Sequence, residues 1–265
     1  MKPRNIVITG GGTGIGEACA HLFTLLGDNV FIIGRRAEPL QTVAYQTGAI
    51  AITADAATET SWNEVILPQI KQHTDTIDVL ICNAGAMGIG KAEDISDHQW
   101  HQAMTANLDS AFASARACLP NLVQSQGNIL FIGSIASLAS GPEVYGYVTA
   151  KHAIIGLMRS IARDYGRQGV RANAICPGWV KTPMADEEMQ PLINQYQFTL
   201  DEAYQYVCRD VPLQRPATPK EIALACKFLC SADAAIITGT TLVIDGGATA
   251  VDLPTLAFTE GAIRA

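Results

Sequence analysis

The chain has no extended run of positive charge. Its longest basic cluster is the pair Arg35-Arg36, and 25 acidic residues outnumber 18 basic ones, which leaves a net charge of −7. Proteins that bind nucleic acid usually present a basic face to the phosphates. The composition therefore predicts no nucleic-acid partner, and the acidic balance favours solubility.

No apolar stretch is long enough to span a bilayer, which takes about 20 consecutive residues in a helix. The opening residues MKPRN lead directly into a candidate strand, without the apolar centre and cleavage site of a signal peptide. We therefore expect no membrane association and a cytoplasmic location.

The cysteines and histidines form no metal-binding pattern. The seven cysteines are scattered without a CxxC pair, and the five histidines contain no HExxH motif. Structural zinc sites need sets of such ligands at close spacing. The sequence thus predicts no metal site, and it indicates free thiols in a reducing compartment.

Short β-branched runs alternate with helical segments along most of the chain. Several of these runs are continuously apolar, which is typical of strands covered on both faces. The pattern predicts an α/β fold: a Rossmann-type, doubly wound parallel sheet of about seven strands with helices on both faces. The predicted strands cover residues 5–9, 29–33, 49–53, 77–82, 128–132, 170–175 and 241–244.

The alternation indicates a single domain over residues 1–250, followed by a loosely structured tail at 251–265. Ser96-Asp97 predicts the start of a long helix over 98–124, and Thr218-Pro219 predicts a capped helix start. Residues 184–211 are more polar than the core helices. A two-helix insertion fits them, and we expect it to form a mobile lid over the substrate.

The first predicted strand ends in a glycine-rich loop, TGGGTGIG at 9–16. The spacing of Gly10, Gly14 and Gly16 leaves backbone N–H groups and a helix N-terminus open to a pyrophosphate. The spacing favours a dinucleotide site, and an ordinary glycine-rich turn is the alternative. A Walker loop is excluded, because Glu17 stands where that motif requires lysine.

Tyr147 and Lys151 are four residues apart, so in a helix they share one face. A nearby lysine cation should lower the pKa of tyrosine from its ordinary value of about 10, which suits an acid/base. Ser134 and Asn83 each follow a predicted strand, at the edge where parallel sheets bind ligands. Asn107 lies inside the long predicted helix, where asparagine is a mediocre helix former. It could be a functional side chain of the site, or an amide that is solvated or hydrogen-bonded within the core.

Six motifs stand in order between residues 4 and 249: TGGGTGIG, NAG at 83–85, Asn107, Ser134, YxxxK at 147–151 and PGWVKT at 177–182. In these motifs the chain resembles the short-chain dehydrogenase/reductase family. The resemblance implies a tetrad in which Asn107 holds a water in a proton relay and Ser134 orients the substrate oxygen. Tyr147 would transfer the proton, while Lys151 would bind the nicotinamide ribose and acidify the tyrosine.

The resemblance also implies which residues line the cofactor. Asp55 would lie beside the adenine, residues 83–85 along the cofactor and residues 177–182 near the nicotinamide. With the glycine loop, the expected set is Gly10, Thr13, Gly14, Ile15, Gly16, Arg35, Arg36, Asp55, Asn83, Ala84, Gly85, Tyr147, Lys151, Pro177, Gly178, Val180 and Thr182.

The end of the second predicted strand favours NADP(H) as the cofactor, with NAD(H) possible. Gly34 stands where an NAD-selective enzyme places a carboxylate for the ribose 2′-hydroxyl. Arg35 can pair with a 2′-phosphate, and Arg36 can add to the positive field, although both could be solvated surface residues. Thr13 stands where many NADP-preferring relatives place a basic residue.

The substrate is expected to be a medium-sized, mostly uncharged ketone or secondary alcohol, with a 3-oxoacyl thioester as the alternative. A non-catalytic dinucleotide-binding sensor is the competing function class, but such a protein would be expected to lose Tyr147, Lys151 or Ser134. A hydrolase is disfavoured because the chain has no GxSxG elbow. The resemblance, with the apolar surfaces of two long helices, predicts a homotetramer.

Overall fold

A parallel β-sheet of seven strands forms the centre of the molecule in the computed structural model, which describes residues 2–258. The strand order is β3-β2-β1-β4-β5-β6-β7. The strands are Asn5–Thr9 (β1), Asn29–Gly34 (β2), Ile50–Thr53 (β3), Val79–Cys82 (β4), Asn128–Ile132 (β5), Arg171–Pro177 (β6) and Thr241–Ile244 (β7). The predicted α/β architecture and single domain are confirmed.

The predicted strands are all present, with small shifts at their ends. Ala49 and Ile77 are buried, as their apolar character predicted, but they precede the first ladder pairs of their strands. At the other end, β6 continues to Pro177 because it pairs with β7 up to Ile244. Strand ends are determined by the neighbouring strand, which hydrophobicity alone does not reveal.

Helices cover both faces of the sheet, as connections between parallel strands require. They are Gly14–Leu25 (α1), Ala37–Thr47 (α2), Glu59–Ser61 (α3), Leu67–Lys71 (α4), Asp97–Met104 (α5), Ser110–Ser125 (α6), Tyr145–Tyr165 (α7), Pro183–Tyr196 (α8), Leu200–Cys208 (α9) and Pro219–Leu229 (α10). The predicted helix start at Thr218 has both hydrogen bonds of a capping box with Glu221.

Successive residues of β1 belong to opposite cores. Val7 is part of a buried cluster with Trp62 and Met158, while Ile6 belongs to a second cluster that contains Phe23. This alternation, with every residue of the strand buried, explains why the central strands are continuously apolar in sequence.

The predicted long helix is interrupted at its centre. It begins at Asp97, passes through a π-helical turn at Thr105–Asp109 and continues to Ser125, with Pro120 inside its last segment. Single π-turns inside α-helices often lie at functional sites. Here the turn contains Asn107, which the sequence identified as a candidate site residue.

Residues 184–211 contain two helices, as predicted, and these have a small core of their own. Ala185 and Met189 of α8 pack with Ala203 and Tyr204 of α9, separately from the two clusters on the sheet. In the tail, Leu253–Phe258 forms 3₁₀-helical turns, and residues 259–265 of the predicted tail lie outside the described residues. Between residues 2 and 258, no helix has the length and apolar character required to cross a membrane.

Candidate active site

A cleft of about 1530 Å³ runs along the carboxyl edge of the sheet. The loops after β1, β2, β4, β5 and β6 line it, and α5, α7 and α8 close its other end. The strand order reverses between β1 and β4, and a crevice at such a switch point is the usual ligand site of open parallel sheets.

The glycine loop closes tightly against the start of α1. Gly10 adopts a positive φ of 67° and donates its N–H to the Ile33 carbonyl at 2.7 Å. A Cβ on Gly16 would lie 2.2 Å from the Gly10 carbonyl oxygen, so no larger residue fits there. The loop therefore brings bare backbone to the helix N-terminus, where a pyrophosphate would bind.

Asn83 holds this loop against the end of β4. Its side-chain amide donates to the Thr9 carbonyl at 3.1 Å and to the Gly10 carbonyl at 3.0 Å. The backbone N–H groups of Asn83 and Ala84 both donate to the Thr9 hydroxyl at 3.1 Å. The sequence placed Asn83 along the cofactor, and the structure adds that its amide fixes the shape of the glycine loop.

Ser134, Tyr147 and Lys151 come together at the end of β5. The Ser134 hydroxyl accepts the Ala136 N–H at 3.1 Å and lies close enough to the Tyr147 hydroxyl to lower the pKa of that tyrosine. Lys151 is buried and donates to the Ile132 carbonyl at 2.9 Å. Its ammonium lies 5.5 Å from the centre of the Tyr147 ring.

The pKa of Tyr147 shifts in the direction opposite to the sequence-based expectation. Burial raises it to about 12, and the hydrogen bond with Ser134 opposes this shift only in part. The expected lowering by Lys151 is wrong for this arrangement, because the ammonium faces the ring and the Ile132 carbonyl. Burial also lowers the pKa of Lys151 to about 8.

Asn107 presents an unused acceptor to the same region. Its amide donates to the Ala86 carbonyl at 2.8 Å and to the Ala103 carbonyl at 2.9 Å, whereas its buried Oδ1 has no partner. A Cβ on Gly85 would lie 2.7 Å from this Oδ1 and 3.6 Å from Lys151 Nζ. The two groups therefore border one small space, and a hydrogen-bond donor there would satisfy Oδ1.

The other end of the cleft carries the exposed side chains of Arg35 and Arg36. Among the described residues, no acidic group pairs with either guanidinium. Asp55 also lines this end, and its carboxylate accepts the Ala57 N–H at 3.0 Å, which shapes the turn after β3. This end of the cleft is therefore open and carries two arginines without acidic partners among the described residues.

The loop after β6 meets the glycine loop across the cleft. A Cβ on Gly14 would lie 3.0 Å from the Thr182 methyl carbon, and Thr182 caps α8 by accepting the Ala185 N–H. Gly178 packs against the Asp245 backbone, and a Cβ on Gly178 would lie 3.0 Å from the Cα of Asp245. Val180 is buried in the core beneath this loop, so its side chain supports the cleft from below.

The sequence did not single out Glu188 of α8, which also lines the cleft. Burial raises the pKa of this carboxyl to about 7, and its charge acts on Tyr147. No motif could have identified it, because it is one of several acidic residues in a polar segment. Its place in the cleft depends on the tertiary position of α8.

The sequence and fold match known proteins over nearly the whole chain. The family described as enoyl-(acyl carrier protein) reductase matches residues 10–249. Protein MoaE of Klebsiella aerogenes is 57% identical over 257 residues, which cover 96% of this chain and 99% of that protein. The 2-(R)-hydroxypropyl-CoM dehydrogenase of Xanthobacter autotrophicus is 34% identical, with 94% and 99% covered.

A solved structure of an actinorhodin polyketide ketoreductase variant with NADPH has the same fold. The TM-score is 0.87 at 26% identity, and the alignment covers 92% of this chain and 97% of that one. These similarities include the glycine loop and the segment with Tyr147 and Lys151, so they concern the cleft as well as the scaffold.

The role of Asn83 gives a prediction about the glycine loop. Asn83→Ala removes two hydrogen bonds to loop carbonyls and should lower the free energy of unfolding by about 2 kcal/mol. Amide hydrogen exchange at residues 10–16 should become faster. Asn29→Ala is the control. It removes a side-chain hydrogen bond to Asn5 at the opposite edge of the sheet, and it should leave amide exchange in the glycine loop unchanged. Equal exchange in both variants would contradict this role.

Proposed function

Because the chain belongs to the short-chain dehydrogenase/reductase family, we propose that it interconverts a ketone and a secondary alcohol with NADP(H). The observation that carries this proposal is that Ser134, Tyr147 and Lys151 lie together in the cleft that also contains the glycine loop. The Xanthobacter relative, a dehydrogenase of a hydroxypropyl compound, supports the reaction class.

The residues of the cleft divide the reaction between them. NADPH, when bound, supplies a hydride to the carbonyl carbon, and NADP⁺ accepts the hydride from the alcohol carbon in reverse. Tyr147 donates its proton to the carbonyl oxygen during reduction and takes the hydroxyl proton during oxidation. Ser134 donates a hydrogen bond that orients the substrate oxygen beside Tyr147.

Lys151 and Asn107 would return the proton to Tyr147. Asn107 Oδ1 and Lys151 Nζ both lie beside Gly85, and a water admitted between them when the site rearranges would donate to the unpaired Oδ1. A lysine pKa of about 8 allows the ammonium to release and regain a proton near neutral pH. The pair therefore suits a proton path from Tyr147 towards solvent.

The proposed preference for NADP(H) rests on the basic end of the cleft. Arg35 is exposed at its mouth, and Gly34 provides no carboxylate that would repel a 2′-phosphate. A guanidinium can bind the phosphate with two charge-assisted hydrogen bonds. The ketoreductase of similar fold that was solved with NADPH supports this cofactor.

We also propose a homotetramer. Several large apolar side chains remain exposed in the single chain, including Phe112 on α6 and Leu224 and Phe228 on α10. Isolated exposed apolar residues are common, but groups of them on helix faces suit subunit contacts.

The acid/base role of Tyr147 is tested by Tyr147→Phe. The variant should lose about 10²–10⁴-fold in kcat while the Kd for NADPH stays close to that of the wild type, because only the proton donor is removed. Tyr145→Phe is the matched control, since Tyr145 is exposed and its ring contacts Trp100 at a tilted angle. A Tyr147→Phe enzyme that keeps most of its activity would refute the proposed mechanism.

The cofactor preference is tested by kcat/KM for NADPH and NADH. The wild type should favour NADPH. Arg35→Ala should reduce the ratio of the two kcat/KM values about 10- to 100-fold, because the loss of one charge-assisted hydrogen-bonded contact to the phosphate has an effect of that size. Arg167→Ala removes an exposed arginine outside the cleft and should leave the ratio unchanged. A wild type that prefers NADH would show that Arg35 does not select the cofactor.

The proposed lid is tested by hydrogen exchange. Because α8 and α9 share a small core separate from the sheet, they can move as one unit over the cleft. NADPH together with the best ketone of a substrate panel should slow amide exchange in residues 183–208. Helix α10 lies outside the cleft and serves as the internal reference. Unchanged exchange in the lid would mean that it does not close.

A further inference from the structure

Glu188 is a carboxylate inside the cleft that lacks a partner. It is half-buried on α8, beside Met189, which anchors the helix in the small core of the lid. Within residues 2–258, no hydrogen bond or ion pair reaches its oxygens. A carboxylate that loses water without gaining a partner is costly, so such a group in a binding cleft calls for an explanation.

The groups around Glu188 are engaged elsewhere. The Tyr204 hydroxyl, which feels the charge of Glu188, donates to Asp186 at 2.7 Å. Lys181 lies over the Tyr204 ring, but its ammonium pairs with Asp201 at 2.6 Å. The remaining group that responds to this charge is Tyr147, the proposed acid/base. Among residues 2–258, no cation pairs with Glu188, and its carboxylate lines the same cleft as Tyr147.

The two ends of the cleft differ in their exposed charges, although Asp55 lies at the arginine end and the buried Lys151 ammonium lies beside the Tyr147 ring. The cofactor end holds Arg35 and Arg36, which suit phosphates. The substrate end holds Glu188 and apolar side chains such as Ile89, Trp179 and Met184. An anionic thioester carrier would meet a repelling carboxylate there, whereas a cation would find its missing partner.

We propose that Glu188 is a specificity residue that binds the ammonium group of a substrate in which the amine is close to the reacting carbon. This inference rests on the proposed oxidoreductase function and names its substrate class: an amino alcohol, or the corresponding amino ketone. The apolar side chains beside Glu188 would contact the hydrocarbon part of such a molecule.

The ammonium group takes no part in the bond changes. In oxidation, the C–H bond at the hydroxyl-bearing carbon breaks and its electron pair moves to NADP⁺ as a hydride. Tyr147 first passes its own proton towards solvent along the proposed Lys151–Asn107 path. As the phenolate it then takes the O–H proton, and the C–O single bond becomes a carbonyl. The amino alcohol is oxidised and NADP⁺ is reduced, while the nitrogen keeps its proton and its contact with Glu188.

The first measurement compares two alcohols of nearly equal shape: 1-amino-2-hexanol, and 3-heptanol, in which a methyl group replaces the ammonium. At about pH 7.5 the amine is protonated, since the ordinary pKa of a lysine amine is about 10.4. With NADP⁺, the wild type should show a kcat/KM for the amino alcohol at least about tenfold higher than for 3-heptanol. One charged hydrogen bond to the ammonium accounts for a difference of that size.

Glu188→Gln keeps the size of the side chain and removes its charge. It should reduce the preference for the amino alcohol over 3-heptanol about 10- to 100-fold. Glu188→Asp keeps the charge and should retain part of the preference. Glu64→Gln, an exposed glutamate outside the cleft, is the charge-matched control.

The outcomes separate this inference from the proposed function. Turnover of both alcohols without a preference, or a preference that Glu188→Gln leaves intact, overturns the role of Glu188 while the oxidoreductase function stands. A wild type that does not oxidise the amino alcohol also overturns it, and 3-heptanol with a panel of neutral ketones then decides the function separately. A melting temperature of Glu188→Gln at or above that of the wild type excludes misfolding as the cause of any loss.

Discussion

The hydrogen bond from the Lys151 ammonium to the Ile132 carbonyl connects the two elements on which the site depends. It joins α7 to the last residue of β5, and both groups are buried. Ser134 follows that strand by two residues, and Tyr147 precedes Lys151 by one helical turn. Burial removes water from the Lys151 ammonium and lowers its pKa, so the charged amine needs a hydrogen-bond acceptor within the protein. The same contact that satisfies this amine therefore places the hydroxyl groups of Ser134 and Tyr147 side by side.

Much of this arrangement could be predicted from the sequence, because it follows from local chemistry. Continuous apolar runs indicated strands covered on both faces, and Gly10, Gly14 and Gly16 indicated where backbone had to be exposed. The four-residue spacing of Tyr147 and Lys151 is sufficient to place both on one helix face. Each of these signals involves residues that are near one another in the chain.

What could not be predicted depends on residues that are distant in sequence. The sign of the Tyr147 pKa shift is set by burial in the complete cleft, which outweighs the hydrogen bond from Ser134. The unpaired acceptor of Asn107 lies in a π-turn that the sequence does not predict. Glu188 lines the cleft through the tertiary position of α8. Such features require the assembled tertiary structure.

The position of Glu188 near Tyr147 has a consequence for the chemical step. Its negative charge raises the pKa of Tyr147, because a phenolate would form close to a carboxylate. A substrate ammonium paired with Glu188 would cancel that field and so lower the pKa of the tyrosine that must accept the hydroxyl proton. A neutral alcohol would leave the opposing charge in place. Under the proposed role, the charge of the substrate therefore affects proton transfer as well as binding. An effect on proton transfer changes kcat, so the enzyme would select its substrate through kcat as well as through KM.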